Sequence, residues 1–246
     1  MIIQFFDLSD NYAKLAFKID AITKNIYNNI NQIKLFHTMK KNSLFTLSLL
    51  LFISVLTNAQ KFPYETYMSS NVTYLGLDFT HARMVDKYAF ADAENVQGTL
   101  LYQWNHMVTS EPDKYDVPKY FGKPTLVINL KIMDDRNSKV DASTLIQDEY
   151  YTLKRNEVPQ IVSTIDFGEL EGLAVFFLVG SYNKVILNGA YFLVVYDIDN
   201  SEILYVKNYT AKPKGFGLRN FWAKTYYIIL KQVHSDWKNK WPNGTY

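Results

Sequence analysis

Three apolar runs lie close together in the last third of the chain, and a long stripe of helical period follows them. Residues 173–179 (LAVFFLV), 191–198 (YFLVVYDI) and 203–209 (ILYVKNY) are too short for helices and too continuously apolar for half-buried strands. They predict strands buried on both faces. Asp199-Asn200-Ser201 leaves only a short hairpin connection between the second and third, and residues 181–188 form a looser one between the first and second. Connections this short join antiparallel neighbours, so the segment is a meander. Leu218, Phe221, Trp222, Thr225, Ile228, Ile229 and Val233 then recur at i, i+3, i+4, i+7, i+10, i+11 and i+15. That spacing predicts one apolar helix face, with Lys224, Tyr227 and Lys231 on the other. A sheet followed by such a helix has to fold in layers, because each buries its apolar face against the other.

The upstream elements are less regular. Residues 74–85 predict a first strand. Val96, Leu100, Leu101, Trp104, Met107 and Val108 predict a helix, with Asn95 able to cap it and Pro112 beyond its end. Residues 125–133 predict a strand, and residues 134–138 (DDRNS) a turn. Asn156 precedes Glu157, Val158 and Pro159, a helix start with proline in its first turn, and Ile161, Val162 and Ile165 would face inward. The order β-α-β-α-β-β-β-α predicts an α+β two-layer sandwich. Its sheet would have about five mostly antiparallel strands, with the helices on one face. The first two strands would pair in parallel, across a crossover.

Residues 39–60 (MKKNSLFTLSLLLFISVLTNAQ) have the layout of a secretory signal peptide. Lys40 and Lys41 form a positive start, residues 44–56 an uncharged Leu-rich run, and Thr57-Asn58-Ala59 a small-residue cleavage site. The apolar run is shorter than the roughly 18 residues a membrane span needs. The expectation is therefore an over-extended N-terminus at residues 1–38, a signal peptide at 39–60 and one α+β domain at 61–246, delivered to the periplasm or secreted. The 186 residues from Lys61 onward carry net charge −1, so the formal +2 of all 246 residues belongs to the leader and is no argument for a nucleic-acid partner. With no cysteine, a disulfide framework, a thiolate metal site and a cysteine-linked lipid are excluded.

Chemistry-bearing motifs are sparse. A nucleophile elbow, a phosphate-binding loop of the Walker type and a His-Glu-x-x-His zinc motif are all missing. Asp78-Phe-Thr-His81 sets a carboxylate three residues before an imidazole, which on a strand places the two on opposite faces. With the carboxylates Asp134 and Asp135 it defines one candidate site, a hydrolase or metal-dependent centre. Gly215-Phe216-Gly217 opens the last helix. Its backbone N–H groups, with Arg219 beside them, define a candidate anion-binding or small-ligand turn that includes Asn220. The same glycines are also what a sharp strand-to-helix turn requires. No cofactor is implied.

Charge is unevenly placed. Residues 207–246 carry net +7 and residues 61–206 net −8. The basic segment also holds Trp222, Trp237 and Trp241. Arg219, Lys224, Lys231, Trp237 and Trp241 are therefore the candidate contact residues for a protein, an anionic lipid or a glycan. The segment GFGLRNFWA at 215–223, with GLAVFFLVGSYNK at 172–184 and FLVVYDIDNSEILYVK at 192–207, resembles uncharacterised exported proteins of Gram-negative envelopes. The order of elements is also similar to that of small accessory domains of envelope assembly systems. The resemblance implies a binding or assembly role in the envelope rather than an enzyme, and it carries no catalytic residues.

Overall fold

The computed structural model describes residues 20, 23–31 and 62–239. The chain divides into two units, Met1–Asn58 and Ala59–Tyr246. In the first, residues 23–31 are helical, and Lys24 pairs with Asp20 at 3.2 Å. The signal peptide expected at residues 39–60 lies outside the described residues. Among the described residues, no helix is long and apolar enough to cross a membrane.

The second unit runs α1 (Tyr64–Ser69), β1 (Val72–Asp78), β2 (Arg83–Val85), α2 (Ala93–Asn95), a π-helical turn (Val96–Leu100), α3 (Leu101–Asn105), α4 (Met107–Ser110), α5 (Val117–Tyr120), β3 (Val127–Ile128), α6 (Lys131–Asn137), α7 (Ala142–Leu145), β4 (Ile146–Gln147), a 3-10 turn (Arg155–Glu157), α8 (Val158–Val162), β5 (Leu173–Asn183), β6 (Asn188–Asp197), β7 (Glu202–Ala211) and α9 (Leu218–Asn239). The fold is α+β, but the sheet is larger than five strands and is mixed. Seven strands take part, and β1, β2, β3 and β4 contribute parallel pairings. The count rises because two lanes of the sheet are interrupted. β1 pairs with the first half of β5 (Val72↔Leu173) and β2 with its second half (Val85↔Asn183). The expected single strand over 74–85 is thus two strands in series, broken at Phe79–Ala82. β3 and β4 lie outside them in the same way. The parallel pairing of β1 with β3 (Thr73↔Val127) follows the crossover expectation, and β5, β6 and β7 form the antiparallel meander.

The helices cover both faces, so the sandwich has three layers instead of two. Side chains alternate along β5 and divide the core accordingly. Leu173, Val175, Phe177 and Val179 pack with α9 and with Leu100, Leu101, Trp104 and Met107. Ala174, Phe176 and Leu178 pack on the opposite face with Val158, Ile161, Val162 and Ile165. The continuous apolar run signals two covered faces, and the inward set at 161–165 supplies the second cover.

Three local expectations are corrected. Asp92, rather than Asn95, caps the helical segment at 93, its carboxylate accepting from Asn95 N at 2.9 Å. Only Val127 and Ile128 of the predicted 125–133 strand are extended. The DDRNS segment is the body and end of α6, because burying Met133 and Asn137 outweighs its turn propensity. Finally, the buried stripe of α9 is rotated from the predicted face: Trp222, Thr225, Tyr226, Ile229, Val233, Asp236 and Trp237 are buried, while Leu218, Phe221 and Ile228 are only half-buried.

Candidate functional site

The carboxyl end of β1 is the first place to look, because ligands of open sheets with parallel strands bind outside strand ends where connections diverge to opposite faces. β5 stays paired with β1 as far as Asp78, but β3 stops pairing at Ile128, so on that edge the polar backbone of Leu77 and Phe79 has no strand beside it. Two asparagines substitute for that strand. Asn105 Oδ1 accepts from Leu77 N at 2.7 Å, while Asn137 donates to Leu77 O at 2.8 Å and accepts from Phe79 N at 2.7 Å. Gly76 makes the approach possible. Its φ is +101°, the strand bulges there, and a Cβ would sit 2.1 Å from Asn105 Oδ1.

Asp78 is buried and fully engaged. One oxygen accepts from Thr80 N (2.8 Å) and Thr80 Oγ1 (2.6 Å), and the other pairs with Arg136 Nε at 3.0 Å. Arg136 also donates to Thr164 O and Thr80 Oγ1. His81 is exposed on the following turn. Asp134 accepts from Asn105 Nδ2 and bonds His106 Nε2, both at 2.8 Å, and Asp135 pairs with Lys131 at 2.6 Å. The three carboxylates of the candidate hydrolase or metal centre therefore sit in three polar groups with different partners, and His81 belongs to none of these groups. Among the described residues, no three His, Asp or Glu side chains could hold a metal ion. A depression of about 500 Å³ adjoins this region, with Thr80, Arg136, Lys139, Asp141, Thr164 and Asp166 on its walls. Its principal cation, Arg136, is already committed to Asp78. Asn105, Asn137, His106 and Arg136 carried no sequence signal, since they meet only after the chain has crossed the sheet.

The basic C-terminal residues are also dispersed. Trp237 is buried, with its ring centre 4.5 Å from that of Tyr67 and 5.4 Å from that of Phe62. It fills the space over Gly122, where a Cβ would lie 2.0 Å from its Nε1. Lys224 and Lys231 both lie over the Tyr227 ring, at 4.5 and 4.6 Å. The hydrogen bond from Lys231 holds the Tyr227 phenol below its ordinary pKa. Arg219 pairs with Glu111 at 3.0 Å and bonds Asn220 Oδ1 at 2.9 Å. Trp241 lies outside the described residues.

The Gly215–Gly217 turn is different. Both glycines have positive φ, +135° and +76°, which lets the chain leave β7 and enter α9 with Phe216 projecting outward. Phe216 and Tyr88 are each 94% exposed. They stand at a depression of about 530 Å³ lined also by Asp86, Lys184, Leu218 and Phe221. The Lys184 ammonium lies 3.7 Å from the centre of the Phe221 ring. Lys184 N donates to Val85 O at 3.1 Å, which ties the β5–β6 hairpin to the end of β2. Sequence reasoning marked the two glycines here but missed Tyr88 and Lys184, which are far from them along the chain. No protein-family model matches the chain, and no curated protein matches it either.

Proposed function

We propose that the protein is an exported, non-enzymatic binding protein of the bacterial envelope that meets its partner at the Gly215–Gly217 turn. The observation that carries this reading is the pair Tyr88 and Phe216, both 94% exposed beside an apolar floor of Leu218 and Phe221. Large aromatics exposed together at a concave site mark interaction surfaces, because burying one on binding contributes about 1.5–3 kcal/mol. Lys184 and Asp86 add opposite charges at the rim, which can orient a partner. The export half of the proposal rests on residues 39–60, and N-terminal sequencing of exported protein should give a start at Gln60 or Lys61. A hydrolase built on Asp78 and His81 has less support, because Asp78 is committed to Arg136 and Thr80.

A photo-crosslinking residue at position 216 tests the binding face in intact cells, with one at the exposed Lys131 as control. Adducts specific to position 216 are the expected result. No adduct, or the same adducts from both positions, refutes the choice of face.

A further inference from the structure

Three connections converge at this end of the sheet. The β5–β6 hairpin tip contributes Val185, Ile186 and Leu187, which are 70, 52 and 44% exposed. Asn183 Oδ1 accepts from the backbone N–H of Val185 (3.0 Å) and Ile186 (3.1 Å), which fixes the tip with its apolar side chains outward. The pairing of Gly189 with Ala211 sets the β7–α9 connection, residues 212–217, beside the tip. The segment after β2 adds Tyr88. Segments 184–187 and 212–217 together carry Lys184, Lys212 and Lys214 and no acidic residue. Of the acids of this end, Asp86 shares the depression with Lys184 and Phe216, while Asp148 and Glu149 lie on the β4 side. Asp86 accepts from Ala89 N, Asp148 pairs with Lys87, and Glu149 is exposed.

We infer that this face binds an anionic lipid surface. Phe216, Tyr88 and the 185–187 tip enter the boundary between headgroups and acyl chains, while Lys184, Lys212 and Lys214 meet the phosphates. The inference rests on the binding-face reading above and names its partner. Composition and charge together favour lipid over protein. Protein interfaces are depleted in lysine at their cores. Protruding Phe and aliphatic side chains flanked by lysines are what interfacial anchoring uses, the lysines drawing in anionic headgroups.

The test is co-sedimentation of the purified chain with vesicles of phosphatidylcholine alone and of equal parts phosphatidylcholine and phosphatidylglycerol. Every variant keeps the same N-terminus, so differences between variants report on this face. The expected result is salt-sensitive binding to the mixed vesicles and little to the neutral ones. The triple variant Lys184→Gln, Lys212→Gln, Lys214→Gln should bind about a hundredfold more weakly, at roughly fivefold per lysine. Phe216→Ser should bind at least about tenfold more weakly while melting like the wild type. Lys224→Gln with Lys231→Gln should bind normally. Equal binding to neutral vesicles, or unchanged binding by both the triple variant and Phe216→Ser, overturns the inference. If mixed vesicles are not bound and position 216 crosslinks a protein in cells, the lipid inference fails and the binding face stands. Self-association abolished by Phe216→Ser would name a second copy as the occupant and also overturn it. If neither vesicles nor crosslinks are found, both readings fail.

Discussion

Gly76→Ala tests how the carboxyl end of β1 is built. The new methyl would meet Asn105 Oδ1 at 2.1 Å and Leu130 Cδ2 at 3.0 Å, at a φ of +101°. The backbone strain alone costs about 1–2 kcal/mol. Driving Asn105 away also leaves the buried Leu77 N–H without its acceptor, which costs about 1–3 kcal/mol more. The sum is about 4 kcal/mol, or a fall in Tm of roughly 10 °C for a domain of this size. Asn105→Ala should cost about 2–3 kcal/mol, because it loses the same hydrogen bond. In that background the obstacle is gone, so adding Gly76→Ala should cost only the strain. The double variant should therefore lose about 4 kcal/mol, against about 6–7 if the two effects simply added. Urea unfolding with unchanged m-values reads all four proteins. Additive costs, or a Gly76→Ala variant as stable as wild type, would refute the account of Asn105 as a substitute strand.

Two further outcomes follow from the core. Burial holds the phenols of Tyr67, Tyr74, Tyr182, Tyr191, Tyr209 and Tyr226 above their ordinary range. A raised folded pKa gives stability that is complete below about pH 10 and lost as pH rises beyond it, because only the unfolded chain then releases these protons. Six such groups give a slope of up to about 8 kcal/mol per pH unit, comparable to the whole stability of a domain. Solvent-exposed phenols contribute a gradual absorbance of their own, and the six buried ones should add a sharp step that coincides with unfolding above about pH 10; ionisation of the buried phenols in a folded protein would contradict this. Trp237→Ala should cost about 3–5 kcal/mol in urea unfolding, and Phe216→Ala should stay within about 0.5 kcal/mol, because one ring is buried and the other exposed. Similar losses for both would contradict the placement of the two rings.

Trp237 also shows where sequence reasoning stopped. Beyond the predicted stripe and next to lysines, it has the features of a contact residue, yet α9 extends to Asn239 and carries it into the core beside Phe62 and Tyr67. Asp134 and Asp135 have turn chemistry, yet α6 contains both, because Met133 and Asn137 gain more from burial against the sheet than the turn offers.

The amino-acid sequence by itself determined the meander of β5, β6 and β7, the existence of α9, the parallel pairing of β1 with β3, and the glycine turn that opens α9. These depend on period, on loop length and on backbone freedom, all of which are local. Only the tertiary structure decided which helices cover which face of β5, that Asp78 is held by Arg136, and that Tyr88, Lys184 and Phe216 share one depression. Those outcomes join residues from distant parts of the chain. Their partners are set by burial and hydrogen-bond satisfaction across the sheet, which no local pattern encodes.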